Sequence, residues 1–341
     1  MDNLYLTLPE ASALVHRGII AVFAGSEDAL RGLPPGNWIG GTTPYFMTGA
    51  GGVIDSERVF CTVFSEAAEC RTVAFDVAGL PGLAKPRFSN GFSYVLMPAF
   101  SAVHNIFAVE GPAYPELCDQ PVMGWVTGAL LAELGTRTPK VFDGLTGAVY
   151  EDRAVIMYVR LPTGYAADLD IINLFTQGDG PDILFPQDGF SAGACTVDGK
   201  PANIAQYLSS PGIDTKLPLV ADYAGAQVNV AAHQIDKVAS TATFYAPVMA
   251  GQVYRLARPI KDYALAYAAG AGSARDCSKM AACNCILNFL YAELEGKTTG
   301  GFVGPVTFGE IAYVLLNQTL VRLHVAASAT PIRAKALQDA L

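Results

Sequence analysis

Short apolar runs alternate with turn residues along this chain, and most runs have the length of a strand. Apolar residues recur at helical spacing over 9–16, with Pro9 at an early-turn position. Residues 19–23 are an apolar run of strand length. Ser26-Glu27-Asp28 opens a second helix, with Ser suited to the N-cap and the acids to the first turn. Pro34-Pro35-Gly36-Asn37 ends it. Strands follow over 38–47, broken at Gly40-Gly41, and over 59–64 and 72–77. The run 92–107 reads as strand then helix, because Pro98 interrupts a continuous helix. Small residues over 123–134 predict a helix. Three runs, 148–150, 154–161 and 169–175, have turn signals between them and the spacing of an antiparallel meander.

Beyond residue 177 the composition shifts. Gly, Pro and Asp crowd 178–193, as in a linker or crossing loop. Val197-Asp198-Gly199-Lys200-Pro201 is a turn, 202–208 a short helix, and 226–230 and 241–248 are strands. The clearest helix spans 276–295, and strands over 302–308 and 318–325 precede a helical tail. The expected fold is therefore α+β: two lobes, 1–177 and 178–327, with mainly antiparallel sheets flanked by helices, and a tail over 328–341. Trp38-Ile39-Gly40-Gly41-Thr42-Thr43 echoes Phe302-Val303-Gly304-Pro305-Val306-Thr307 as aromatic, aliphatic, Gly, two variable positions and Thr. Each copy follows a helix, which suggests two pseudo-repeated halves with a cleft between them.

Composition narrows the function. Of 341 residues, 51% are apolar and only 16% charged, against roughly 25% charged in ordinary soluble chains. So low a charge implies much buried surface and leaves room for a homo-oligomer. A net charge of −9 disfavours nucleic acid, whose binding rests on Lys and Arg. The longest apolar stretch, 92–109, is broken by Ser93, Pro98, Ser101, His104 and Asn105, so it is no membrane span. Met-Asp-Asn-Leu-Tyr lacks the basic start of a signal peptide, and the chain reads as cytoplasmic. Seven scattered cysteines read as reduced thiols.

The candidate chemistry gathers near the C-terminus, where Gly301 to Ala312 carries three glycines, a proline and one carboxylate among apolar residues. Glu310 is the pointed one. Set among Phe308, Ile311 and Ala312, it must find donors or rise in pKa. It is held by backbone N–H groups, binds the ammonium of an amino-acid-like ligand, or acts as a base. Asn317 and Thr319 are its expected neighbours. On a helical wheel Cys277, Cys283 and Cys285 point to about 0°, 240° and 80°, so they do not converge on a metal. Cys283 falls on the apolar stripe, and Asn284 and Asn288 on an adjacent polar one. These amides either satisfy the 304–310 turn or wall a polar pocket. Gly40, Gly41, Thr42 and Thr43 either bend a strand or let backbone N–H groups approach a ligand. His104 is a core histidine or, as the alternative, a haem ligand. His16, His233 and His324 read as peripheral.

These pieces resemble the FIST proteins, in a bacterial branch, through both their N-terminal and C-terminal portions. The resemblance rests on Cys283-Asn284-Cys285, the turn from Gly304 to Thr307, Phe308-Gly309-Glu310-Ile311 and Asn317-Gln318-Thr319. It extends to Val197-Asp198-Gly199-Lys200-Pro201-Ala202, with Ile39-Gly40-Gly41-Thr42-Thr43, Pro121 to Trp125 and Phe142-Asp143-Gly144 as looser pieces. It implies a sensory, signal-transducing module that binds a small, amino-acid-like molecule without intrinsic catalysis. No kinase, receiver or F-box segment is attached, so signalling would pass through a separate protein. The ligand would lie between the lobes, against Glu310, Asn284, Asn288, Asn317, Thr319, Thr42, Thr43 and Gly40. The rivals are a haem-based nitric oxide sensor using His104 with a separate kinase, an enzyme with Cys283 or Cys285 as nucleophile beside Glu310, and a protein-interaction scaffold.

Overall fold

The computed structural model describes residues 1–223, 225–262, 265–266, 269–270, 279–299 and 301–327. Strands make up 44% of the structure and helices 16%. This corrects the expected α+β architecture: five sheets carry the fold, and the helices are few and short. The expected tail over 328–341 lies outside the described residues.

The chain builds one arrangement three times. The first repeat runs β1 (Asp2–Leu6), α1 (Leu8–His16), β2 (Ala21–Gly25), α2 (Glu27–Arg31), β3 (Trp38–Thr42), β4 (Tyr45–Thr48), β5 (Gly51–Ile54) and β6 (Val59–Val63). The second runs β7 (Glu69–Phe75), β8 (Gly91–Pro98), α3 (Ala102–Glu110), β9 (Val122–Thr127), β10 (Val141–Asp143), β11 (Ala148–Tyr150) and β12 (Ala154–Arg160). The third begins with β13 (Tyr165–Asn173) and is then interrupted by an insert. The insert holds β14 (Ile183–Leu184), β15 (Gly189–Ala192), β16 (Ala194–Val197), β17 (Lys200–Asn203), α4 (Ile204–Leu208), β18 (Leu219–Tyr223), β19 (Ala226–Val230), β20 (Ala232–Asp236), β21 (Thr241–Val248) and β22 (Tyr254–Leu256). The repeat resumes with β23 (Ala281–Cys285), α5 (Ile286–Tyr291), β24 (Gly304–Thr307), β25 (Glu310–Ala312), β26 (Val314–Leu316) and β27 (Thr319–Ala327).

Three six-stranded sheets follow: β1-β6-β2-β3-β10-β11, β7-β12-β8-β9-β25-β26 and β13-β27-β23-β24-β4-β5. Each has one parallel pair at its centre, namely β2–β3, β8–β9 and β23–β24, joined through α2, α3 and α5. The remaining neighbours are antiparallel. Each repeat also gives its hairpin to another. Hairpin β4–β5 pairs with β24, hairpin β25–β26 with β9, and hairpin β10–β11 with β3. The exchange closes a ring, so no repeat completes its sheet alone. The echo noted between 38–43 and 302–307 falls on β3 and β24, the second parallel strands of two repeats. Gly124 to Thr127 on β9 is the third copy, so the two expected halves become three repeats.

Local chemistry explains the elements. Thr7 and Glu10 form a capping box on α1, with Thr7 N donating to Glu10 Oε2 at 2.9 Å. Ser26 and Ser101 cap α2 and α3 by accepting from Ala29 N and His104 N. Asp198 and Gly199 both have positive φ, 48° and 73°, giving the two-residue turn that joins β16 to β17. Two expected helices are corrected. Residues 123–134 begin as β9, and 281–285 form β23 ahead of the short α5. Both strands are buried along their length between two partners, and such strands read as unbroken apolar runs. The expected meander is corrected too, since β11, β12 and β13 lie in three different sheets.

The ring encloses two large apolar clusters, one containing Trp125 and Tyr94 and the other Phe107 and Phe308. The insert has its own cluster around Phe185, Phe244 and Tyr254, and the expected boundary at 177/178 falls in the connection leading into it. Among the described residues, no helix is long and apolar enough to cross a membrane.

Candidate functional site

The carboxyl ends of the three second parallel strands meet. Thr43 Oγ1 donates to the Val306 carbonyl at 2.6 Å. Phe308 N donates to the Val126 carbonyl at 3.0 Å, and Gly128 N to the Thr42 carbonyl at 2.7 Å. Each repeat is thus bonded to the next around a closed three-way junction. Thr43, Thr127 and Thr307 are fully buried there. In sheets with parallel strands, the carboxyl ends are where backbone groups and helix starts open toward ligands.

One cleft opens at this junction, between repeats 1 and 2, with a volume of about 100 Å³. Ser26, Thr42 and Thr43 form one side, and Glu133, Arg137 and Thr138 the other. Its charges are matched in pairs. Glu27 accepts from Lys140 Nζ at 2.8 Å and from Arg31 Nε at 2.9 Å. Burial opposes ionisation of Glu27, but these two cations outweigh it and hold its carboxyl below the ordinary value. Arg137 lies 3.3 Å from Glu133 and 3.8 Å from Asp28. Thr42 Oγ1 accepts from Lys140 N at 2.9 Å, so the hydroxyl ties β3 to the segment that covers it. A separate basin of about 350 Å³, beside Ala99, Phe100 and Ser101, shares Arg137 and Thr138 with the cleft as lining residues.

Glu310 sits elsewhere, sealed in the wall between two sheets. It is wholly buried. Its Oε2 accepts from Thr319 Oγ1 at 2.8 Å and Thr319 N at 3.3 Å, and Thr307 Oγ1 lies 3.4 Å from Oε1. The Cys285 thiol also bonds to it. Burial outweighs these donors and pushes the carboxyl up to about 8. Cys283 and Cys285 are i, i+2 on a strand rather than on a helix, so the wheel angles drawn for them do not apply. Cys283 Sγ lies 3.5 Å from the Gly124 carbonyl. Burial, with Glu310 close by, drives both thiols well above the ordinary value. A thiol held protonated is a poor nucleophile. Iodoacetamide at neutral pH is expected to label the exposed Cys118 and to leave Cys283 and Cys285 unmodified until the chain is unfolded, as peptide mapping would report. Cys277 lies outside the described residues. Among the described residues no three His, Cys, Asp or Glu side chains gather as a metal site.

The structure divides the expected ligand residues among four places. Asn284, Asn288 and Thr319 join Glu310: Asn288 Nδ2 donates to Asn284 Oδ1 at 2.9 Å and to the Thr319 carbonyl at 3.1 Å. Asn284 Nδ2, fully buried, has no partner among the described residues. Asn317 faces away and ties the ring to the insert, accepting from Ala231 N at 3.0 Å and donating to the Asn229 carbonyl at 2.7 Å. Only Thr42 and Thr43 reach the open cleft; Gly40 packs against Trp38 and Leu30. The sequence gives no signal for Glu133, Arg137 and Lys140: Glu133 falls in the helix expected over 123–134, and 135–140 carry no motif. Ser26 to Asp28 was legible only as a helix start. His104 lies in a separate cavity of about 40 Å³, with the Phe190 ring 5.4 Å from its own.

A family model described as "Family of unknown function (DUF6976)" matches residues 6–326. The chain belongs to that family. No FIST model matches, which corrects the FIST resemblance. Several patches that carried it lie at strand ends and in tight turns, where Gly, Thr and Asp are favoured on backbone grounds alone. No curated protein matches the chain.

Proposed function

We propose that this chain is a binding module for a small, polar, zwitterionic molecule of the amino-acid class, held in the cleft at the carboxyl ends of β2 and β3. The observation that carries this is the cleft's composition: Ser26 and Thr42 line one side, and a guanidinium and a carboxylate, Arg137 and Glu133, line the other. Arg137 offers a fork for a carboxylate, and Glu133 or Asp28 a partner for an ammonium. At about 100 Å³ the space holds roughly three waters' worth of volume, so the ligand is small. A ligand gripping both sides ties repeat 1 to repeat 2. It would signal to a separate protein by favouring the tied arrangement, provided it binds that arrangement more tightly.

Thermal unfolding with each of the twenty amino acids at millimolar concentration tests this. At least one is expected to raise the melting temperature, since a ligand at a hundred times its Kd stabilises by about 2.7 kcal/mol. Arg137→Gln and Thr42→Val are expected to abolish that shift while leaving the ligand-free melting temperature within a few degrees. If no amino acid moves it, or if both variants respond as the native chain does, the proposal fails.

A further inference from the structure

The second cavity lies where the ring meets the insert. Its floor is His104 on α3, Phe244 on β21 and Phe308 after β24, all buried. Phe190 and Tyr245 form its walls, and Phe100 and His233 stand exposed at its rim. The rings lie close: His233 is 4.8 Å from Tyr245, edge to face, and 6.5 Å from Phe100. No charged side chain lines this cavity among the described residues.

Two features are unusual for a surface that merely packs. Among the described residues, neither ring nitrogen of His104 has a hydrogen-bond partner, although the residue is only 5% exposed. A neutral imidazole carries one donor and one acceptor, and buried polar groups are almost always paired. Burial disfavours the charged form and pulls this imidazole down to about 4, so it stays neutral. Phe100 is the second feature. It occupies the left-handed region, φ 65°, at the turn from β8 into α3, with its ring 55% exposed. For a bulky residue that conformation is strained. It places the ring between this cavity and the 350 Å³ basin that also borders the cleft.

We propose that this chamber binds a small, uncharged aromatic ring bearing one hydrogen-bonding group, with His104 as its polar anchor and Phe100 as its movable wall. The ring faces favour an aromatic guest by edge-to-face contact. The absence of a facing charge disfavours an ion, which would lose its hydration uncompensated. With Phe100 in place the space admits about one water. Rotation of that exposed ring opens the space into the basin and makes room for a six-membered ring. The site is separate from the cleft and does not depend on it.

Phenol is the probe. Titrated into the full chain, it is expected to saturate at one site and to shift the ring-proton resonances of both His104 and His233. Cyclohexanol, with the same hydroxyl and no ring face, is expected to bind about fivefold more weakly. His104→Leu is expected to weaken phenol about tenfold through the lost hydrogen bond. Phe190→Leu, on a less buried wall, is expected to weaken it about threefold and serves if His104→Leu does not fold. The proposal is overturned if phenol does not saturate, binds no better than cyclohexanol, or shifts neither histidine; a cavity that holds only water gives this result. Saturation by phenol with no response to amino acids would leave this site standing and the cleft proposal lost.

Discussion

Glu310→Gln is expected to flatten a pH dependence of stability that the native chain carries. Burial holds Glu310 protonated up to about 8, against an ordinary value of 4.5. Between those values the native state keeps a proton that the unfolded chain releases. The contribution is therefore full below about pH 4.5 and is lost as pH rises through about 8. A displacement of this size corresponds to about 5 kcal/mol at most. Gln reproduces the protonated acid: its oxygen can accept from Thr319 N and Oγ1, and its amide can donate to Thr307 Oγ1. The variant should match the native chain at pH 5 and exceed it by about 2 kcal/mol or more at pH 8.5, read from urea denaturation at both. Glu310→Ala should lose about 3 kcal/mol at pH 5, because it leaves Thr319 N buried without its acceptor and opens a void, and less than that at pH 8.5, because it also removes the titrating group. Equal pH slopes for the native chain and Glu310→Gln would mean the carboxylate is ionised and held by its donors.

Gly124→Ala should be the most damaging single methyl in the ring. Gly124 lies on β9, paired with Val95 on β8 and Ile311 on β25. A Cβ there would stand 1.8 Å from the Val95 carbonyl oxygen. That oxygen belongs to backbone in the middle of a sheet, so no side-chain rotation relieves the clash. A loss of about 3 kcal/mol or more is expected, with β9 pushed from both partners. Gly49→Ala, with nothing within 4 Å of its Cβ, should change stability by less than about 0.5 kcal/mol. Chemical denaturation of the two side by side decides it. Equal midpoints would mean that β9 does not sit in the registers described.

The sequence made the elements with strong local rules legible. The Ser26 cap, the Asp198-Gly199 turn and the helix over 9–16 depend on neighbours a few residues away, and all are present. The runs at 59–64, 154–161 and 241–248 were likewise readable as strands. Residues 123–127 and 281–285 were not, because a strand buried between two partners has no polar alternation and resembles a buried helix. The error spread to function. Placing Cys283, Asn284 and Cys285 on a helix assigned them faces they do not have.

What the sequence determined by itself was the demand for partners: a chain so poor in charge, with one acid amid apolar residues, must bury Glu310 and must pair it. It also carried the trace of the repeat in two copies of a strand end closing on Thr. Tertiary structure alone decided that there are three such strand ends, that each repeat lends its hairpin to a neighbour, and that Glu310 is sealed while Thr42 lines an open cleft. The reason is the separation along the chain. Thr43 bonds to Val306 and Gly128 to Thr42 across spans whose pairing no local pattern encodes. Only closure of the ring selects which strand each edge will meet.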